Sequence, residues 1–549
     1  MARTPLMRGL MRLAGEHTEA GAVGFPLAEV RARRALAVSR RDFLAGAATA
    51  AVGAVLVDPG RAAAVAAAGG GGGPRIAIVG AGISGLSAAL TLQDAGYTTA
   101  VFESSARIGG RMHSDTADWL NGQISEWCGE LIDTGHQTIR ALARRFKLDM
   151  VDLRAAQPKG ADDTYYFSGH YYPQARVDTD FEPVYRALQE QTKAAGYPTL
   201  HNSYTPAGYA LDHTSIYDWV ERYVPGGHGS NMGRLLDVAY TIEYGADTTA
   251  QSALNLVYLL GSNSTPSHFS IFGASDERYH IAGGNEQLPR AIAASLPGGS
   301  IRTGCRVTSM ARDSAGHPTL TVNTPTGTER HAYDRVILTL PFAVLRMLDY
   351  GRAGFDKLKT TAISQLGYGT NSKLQAQFDT RYWNGTGAWP GLSTGTIFSD
   401  VGFQNTWDAT RAQPGATGII VDYTGGVVGA AYDPATPYAT SANSAPVRQY
   451  AQNFVQQLDI VWPGAREHYT GHATLSCPWR DPNLLGSYSY WKVGQYTLFS
   501  GYEGARQGAI HFAGEHCSQD FQGYMEGAAS EGIRAANEIL ADYKAGVYP

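Results

Sequence analysis

The residues best suited to chemistry form a six-residue run, Gly80-Ala81-Gly82-Ile83-Ser84-Gly85. Arg75-Ile76-Ala77-Ile78-Val79 precedes it, a short β-branched run that reads as a buried parallel strand. Leu86, Ala89, Leu90 and Leu92 follow at helical spacing, and the pattern stops at Gly96. A second strand, Thr98 to Phe102, leads into Glu103. In this strand–loop–helix–strand order the glycines have separate tasks. Gly80 permits a tight turn, Gly82 lets backbone approach a pyrophosphate, and Gly85 packs helix against strand. Ser84 lies in the first helical turn, where free N–H groups and partial positive charge favour phosphate. Glu103, at the end of the second strand, suits the ribose hydroxyls of an adenosine. NAD and FAD both fit this pattern.

A second glycine pair follows in Ala106-Arg107-Ile108-Gly109-Gly110-Arg111-Met112. Gly109 and Gly110 let the chain pass close to a second phosphate, and Arg107 and Arg111 supply compensating charge. This run resembles the extended dinucleotide motif of the flavin amine oxidase superfamily, of the bacterial flavin monoamine oxidase or L-amino acid oxidase type. The resemblance continues along nearly the whole chain after residue 74. Val307, in the run 301–307, resembles the position whose backbone meets adenine, and the run 334–341 resembles a strand returning to the cofactor. Gly514 and Glu515 resemble the strand end beside the ribityl and pyrophosphate. Tyr524 and Met525, in Gln522-Gly523-Tyr524-Met525-Glu526-Gly527-Ala528, lead into a helix whose N-terminus the family directs at the flavin pyrimidine. The resemblance therefore implies FAD.

It also implies roles at the reacting end. Lys373 matches a buried lysine that holds a water against flavin N5 and assists reoxidation. Tyr488 and Tyr524 match two rings that form an aromatic cage for an amine, whose developing positive charge their π faces favour. Ser487 stands where monoamine oxidases of eukaryotes carry a cysteine bonded to the flavin. A serine forms no such thioether, so the FAD is expected to be non-covalent. The expected reaction is oxidation of an amine's C–N bond to an imine, then to an aldehyde or keto acid plus ammonia, with O2 reduced to hydrogen peroxide. An L-amino acid oxidase is the alternative, and an FAD-binding protein without turnover is a further one. Venom-type L-amino acid oxidases grip the substrate carboxylate with an arginine, but Glu126-Trp127-Cys128-Gly129-Glu130-Leu131-Ile132 contains none. Arg278, Arg381 and Arg480 are unranked substitutes. Glu126, Glu130 and Asp133 either attract a second ammonium or are solvated carboxylates. His280, His511 and His516 read as structural.

These residues need elements to position them, and 549 residues suggest two or three domains. The reading is α/β: a discontinuous Rossmann-like FAD-binding domain (74–131, 280–345 and 480–549) with a mixed α+β substrate-binding domain (132–279 and 346–479). Helical patterns such as 139–146 and 252–260 alternate in the latter with strand-like runs such as 373–378 and 418–423. A content of 44% apolar and 17% charged residues fits a globular chain, and a net charge of −5 gives no reason to expect nucleic acid. The four cysteines, Cys128, Cys305, Cys477 and Cys517, show no CxxC spacing, so neither a disulfide framework nor a metal site is expected. Residues 1–73 read as an address. Arg40-Arg41 precedes a weakly apolar stretch, Phe43 to Val57, and then small residues, as in a twin-arginine export signal with a flexible leader. The stretch is shorter than the roughly 20 residues that span a bilayer. The protein is expected in the periplasm or outside the cell, without stable membrane insertion, acting on a small amine or amino acid with O2, with a homodimer as the assembly to test.

Overall fold

The computed structural model describes residues 73–263, 265–266 and 269–547. The export signal read from residues 1–72 lies outside the described residues.

A five-stranded parallel sheet carries the dinucleotide motif, in the order 510–512, 335–338, 76–79, 99–102, 301–302. Period-two alternation sends its side chains into two cores. Ile76, Ile78, Val101 and Ile337 pack against helices that include Ile83–Asp94 and the C-terminal Met525–Lys544. Ala77, Val79, Phe102, Val336 and Leu338 pack on the opposite face with Val307, Met310, Leu320 and Val322 of a four-stranded sheet. Burial on both faces explains why these strands read as continuous apolar runs. The 301–307 run is not one strand. It breaks at Gly304, whose φ of +66° favours glycine, and Val307 belongs to the strand Arg306–Arg312 of the four-stranded sheet.

An eight-stranded mixed sheet is built from 161–167, 170–171, 372–378, 392–399, 405–408, 418–424, 438–440 and 469–476. The strand Ser372–Phe378 alternates as expected, yet every residue of it is buried. Leu374, Ala376 and Phe378 meet the helix Ala445–Val461 in one core. Lys373, Gln375 and Gln377 face the cofactor segments: Gln375 donates to the Glu126 carbonyl at 3.3 Å, and Gln377 to that of Leu120 at 3.1 Å. Polar side chains on this face are thus inter-sheet fasteners. The C-terminal helix also reaches across, where Glu526 accepts the Thr138 and Ile139 N–H groups at 2.9 Å each and caps the helix Gln137–Arg145.

Candidate active site

One cavity of about 610 Å³ runs from Gly80, Gly82 and Ser84, past Arg107, Gly109, Gly110, Arg111 and Val307, to Lys373, Tyr488 and Tyr524. At the end lined by Gly80, Gly82 and Ser84, the glycines differ in their surroundings. A Cβ on Gly85 would lie 2.0 Å from the Gly80 carbonyl oxygen, whereas one on Gly82 would meet only Gly110 Cα, at 3.9 Å. Gly85 is therefore closed by the protein, and Gly82 is open toward the cavity. Ser84 Oγ is buried and, among the described residues, has no hydrogen-bond partner. An orphaned hydroxyl at a helix N-terminus beside an open glycine fits the pyrophosphate of a dinucleotide. Glu103 accepts the Ala81 N–H at 2.9 Å and the Ser105 N–H at 2.8 Å, so it braces the turn and lines the cavity.

The two arginines carry internal duties. Arg107 donates to the Gly110 carbonyl at 2.6 Å and the Ile108 carbonyl at 3.3 Å. Arg111 donates to the Ser487 carbonyl at 2.9 Å and to Glu515 at 3.0 Å. Glu515 also accepts from Ser489 Oγ at 2.7 Å and from the Ser489 and Gly523 N–H groups at 3.1 and 2.9 Å. Burial would raise its carboxyl, but Arg111, His516 and these donors outweigh it and hold it below the usual range. Gly514 takes φ +132°, and the Met525–Lys544 helix starts without a side-chain cap, with Gly523, Tyr524, Met525 and Ala528 facing the cavity. Its open N-terminal N–H groups offer partial positive charge there.

At the other end Lys373 is 5% exposed. Its Nζ donates to Glu130 at 2.7 Å and to the Cys128 carbonyl at 2.8 Å, and lies 5.1 Å from the Trp407 ring. Trp407 Nε1 donates to the other Glu130 oxygen at 2.9 Å. Burial pushes the Glu130 carboxyl up, but Lys373, with His280, outweighs it and the group stays ionised below its usual range. Tyr488 donates to the Ile242 carbonyl at 3.0 Å and shares a 3.0 Å contact with the Tyr423 hydroxyl, while Tyr524 donates to Glu243 at 3.1 Å. Ser487 Oγ donates to Asn371 at 2.6 Å.

The sequence model of the family described as flavin containing amine oxidoreductase matches residues 83–540. The chain belongs to that family. It is an FAD-dependent amine oxidase. A putative L-amino-acid oxidase, YobN, of Bacillus subtilis (strain 168) is 25% identical over 502 residues, covering 84% of this chain and 94% of the relative. Polyamine oxidase 4 of Oryza sativa subsp. japonica is 26% identical over 490 residues, covering 85% and 88%. Among solved structures, cyclohexylamine oxidase from Brevibacterium oxydans IH-35A superposes with a TM-score of 0.72 at 20% identity, covering 86% of this chain and 99% of that one. A putrescine oxidase bound to putrescine gives 0.69 at 20%, covering 85% and 99%. At such identities the superpositions show the fold.

This amine oxidase gathers most of the expected residues and redirects others. The three acids read either as attracting a second ammonium or as solvated carboxylates are buried and have protein partners. Glu126 accepts from Ser114 Oγ and the Asn285 N–H and pairs with His280 at 2.9 Å; Glu130 holds Lys373; Asp133 accepts from Ser275 Oγ and the Glu277 N–H. Arg278 pairs with Asp152 and Arg480 with Asp433, and Arg381 donates to Thr410 and the Gln413 carbonyl. None of the three lines the cavity, but Arg154 and Arg411 do. His511 pairs with Glu538 at 2.7 Å, and buried His516, packed 4.4 Å from the Phe342 ring, is pushed down to about 4, chiefly by burial. Glu243, Glu277, Asp163, Trp407 and Tyr423 line the cavity and were not singled out in the sequence. Glu277 sits at φ +44°, which non-glycine residues adopt at a cost, and its backbone sign is invisible in a sequence.

Proposed function

We propose that the chain is an exported oxidase of small amines that binds FAD without a covalent bond and uses O2 as acceptor. The observation that carries this reading is the single cavity joining the phosphate cradle to Lys373 and the two phenols. Segments 74–131, 280–345 and 480–549 form its cofactor-binding part, joined by the helix 137–145 and by residues 349–366, which pack in the same cores, and the rest of 132–279 and 346–479 forms its substrate-binding part. An FAD bound there supplies two-electron oxidation of the amine C–N bond and return of the electrons to O2 as hydrogen peroxide. Ser84, Gly82 and Gly110 would hold its pyrophosphate, and the helix beginning at Met525 its pyrimidine end. Tyr488 and Tyr524 orient the amine, and their hydroxyls are fixed by Ile242 and Glu243. Lys373 is held in the cavity wall by its ion pair with buried Glu130. Water hydrolyses the imine to an aldehyde or keto acid and ammonia.

A second reading, oxidation of an L-amino acid, is favoured by Arg154 and Arg411, which line the cavity and are suited to a carboxylate. Three acids on the same walls, Glu243, Glu277 and Asp163, support an amine. A hydrogen peroxide assay across monoamines, diamines and the twenty amino acids decides between them. Activity confined to α-amino acids would overturn the first reading. Replacing Arg40-Arg41 with two lysines tests export: the variant is expected to stay in the cytoplasm, and unchanged secretion would refute it.

A further inference from the structure

An aliphatic amine reaches this cavity as an ammonium, since such groups titrate near 10.4. Forming C=N needs the nitrogen lone pair, so a proton must leave first. Most polar groups around the cage are unable to take it. Lys373 is engaged by Glu130, and burial holds the Tyr488 and Tyr524 phenols well above their ordinary values, so they remain neutral. The last turn of the helix Asn231–Tyr244 is placed differently. Its consecutive residues hold both cage rings: the Ile242 carbonyl accepts from Tyr488, and the Glu243 carboxylate accepts from Tyr524. Only Oε1 of Glu243 is engaged. Among the described residues none donates to Oε2, and the side chain lines the cavity.

We propose that Glu243 is the proton acceptor of the reaction, taking an N–H proton from the substrate ammonium before its C–N bond is oxidised. The N–H bond breaks, its electron pair stays on nitrogen, and an O–H bond forms at Glu243 Oε2. Ammonium plus carboxylate become amine plus carboxylic acid, with no change of oxidation state. The inference rests on the amine-oxidase reading.

The surroundings suit the task. Burial first, then the charge of Glu277 and that of Asp133, push the Glu243 carboxyl up to about 8, against the hydrogen bond from Tyr524. Of the other groups that face it, Tyr240, Tyr244, Tyr423 and Tyr488 are neutral phenols. An ordinary carboxylate would take the proton uphill by about a millionfold, and one at about 8 by a few hundredfold. Glu277, pushed to about 7 by burial and by Asp133, lines the same cavity.

The test uses the full holoenzyme, Glu243→Gln, whose amide oxygen still accepts from Tyr524, and Glu243→Asp. In the wild type the anaerobic rate of flavin bleaching by a primary amine is expected to rise with pH and level off above about 8. In Glu243→Gln it should fall at least 100-fold at pH 7.5 and climb only toward the amine's own titration, with partial recovery in Glu243→Asp. Calorimetry in buffers of different ionisation enthalpy, with an amine lacking an α-hydrogen, counts protons without turnover. Wild-type enzyme should release about one proton per site at pH 7 and none at pH 9, and Glu243→Gln about one at both. The wild-type count stands even if the variants do not fold. An unchanged pH profile in Glu243→Gln, a uniform loss at every pH, or an unchanging wild-type count would overturn the proposal. If no amine bleaches the wild type, the amine-oxidase reading has failed instead, and the proton count still reports on Glu243.

Discussion

Lys373 illustrates how one side chain carries two obligations. Its amine lines the same cavity as the cage rings and is also the partner of buried Glu130. Lys373→Met is expected to slow oxygen-dependent reoxidation at least tenfold in stopped-flow traces, with anaerobic reduction changed less. Leaving Glu130 unpaired should also cost about 3–5 kcal/mol of stability, and Lys373→Met with Glu130→Gln should recover much of it in denaturant titrations. The cage rings admit a finer test. Tyr488→Ala removes a π face worth about 0.5–2 kcal/mol to a cation, so kcat/KM should fall about 3- to 30-fold. Tyr488→Phe keeps the face and should stay within about threefold. Lys373, Tyr488 and Tyr524 could be picked out of the sequence because each lies within a motif. Glu243, Glu277 and Trp407 could not, since no local pattern distinguishes an acid or indole that faces a cavity from one that faces water.

Glycines separate what the strand–loop–helix unit needs for folding from what it needs for the cofactor. Gly85→Ala places a Cβ 2.0 Å from the Gly80 oxygen, so misfolded or poorly soluble protein is expected. Gly82 has φ −74°, and a Cβ there meets nothing closer than 3.9 Å. Gly82→Ala should therefore fold with near wild-type circular dichroism and melting, yet purify colourless because the methyl occupies the pyrophosphate's approach. The strand Gly418–Thr424 supplies a pH test. Asp422 is 2% exposed, its Oδ1 has no partner among the described residues, and burial pushes its carboxyl up to about 7. A raised acid keeps its proton when folded, so its contribution is favourable below the ordinary value of 3.8 and declines as pH rises through about 7. At about 1.4 kcal/mol per unit, that decline amounts to a few kcal/mol. Asp422→Asn should lose less melting temperature between pH 5 and pH 8 than wild type; an equal loss would contradict this account.

Across the protein as a whole, flavin attachment is the property with the simplest readout. Ser487 offers no thiol, Cys517 is buried in an apolar cluster, and two cysteines line the cavity, Cys305 and Cys128, the latter 3.8 Å from the Tyr438 hydroxyl. Acid precipitation should leave a yellow supernatant and a colourless pellet; colour in the pellet would call for Cys128→Ser. The primary sequence was enough to establish the dinucleotide unit, the parallel strands around it, the family resemblance and the candidate lysine and tyrosines. Those features rest on short-range periodicity and on glycines whose steric demands are local. The folded chain settled which acids and arginines face the cavity, because that depends on contacts between residues hundreds of positions apart. Glu130 found Lys373, Glu526 found the 137–145 helix, and Glu243 was left with one oxygen free, outcomes governed by which partner packing brings within hydrogen-bond reach.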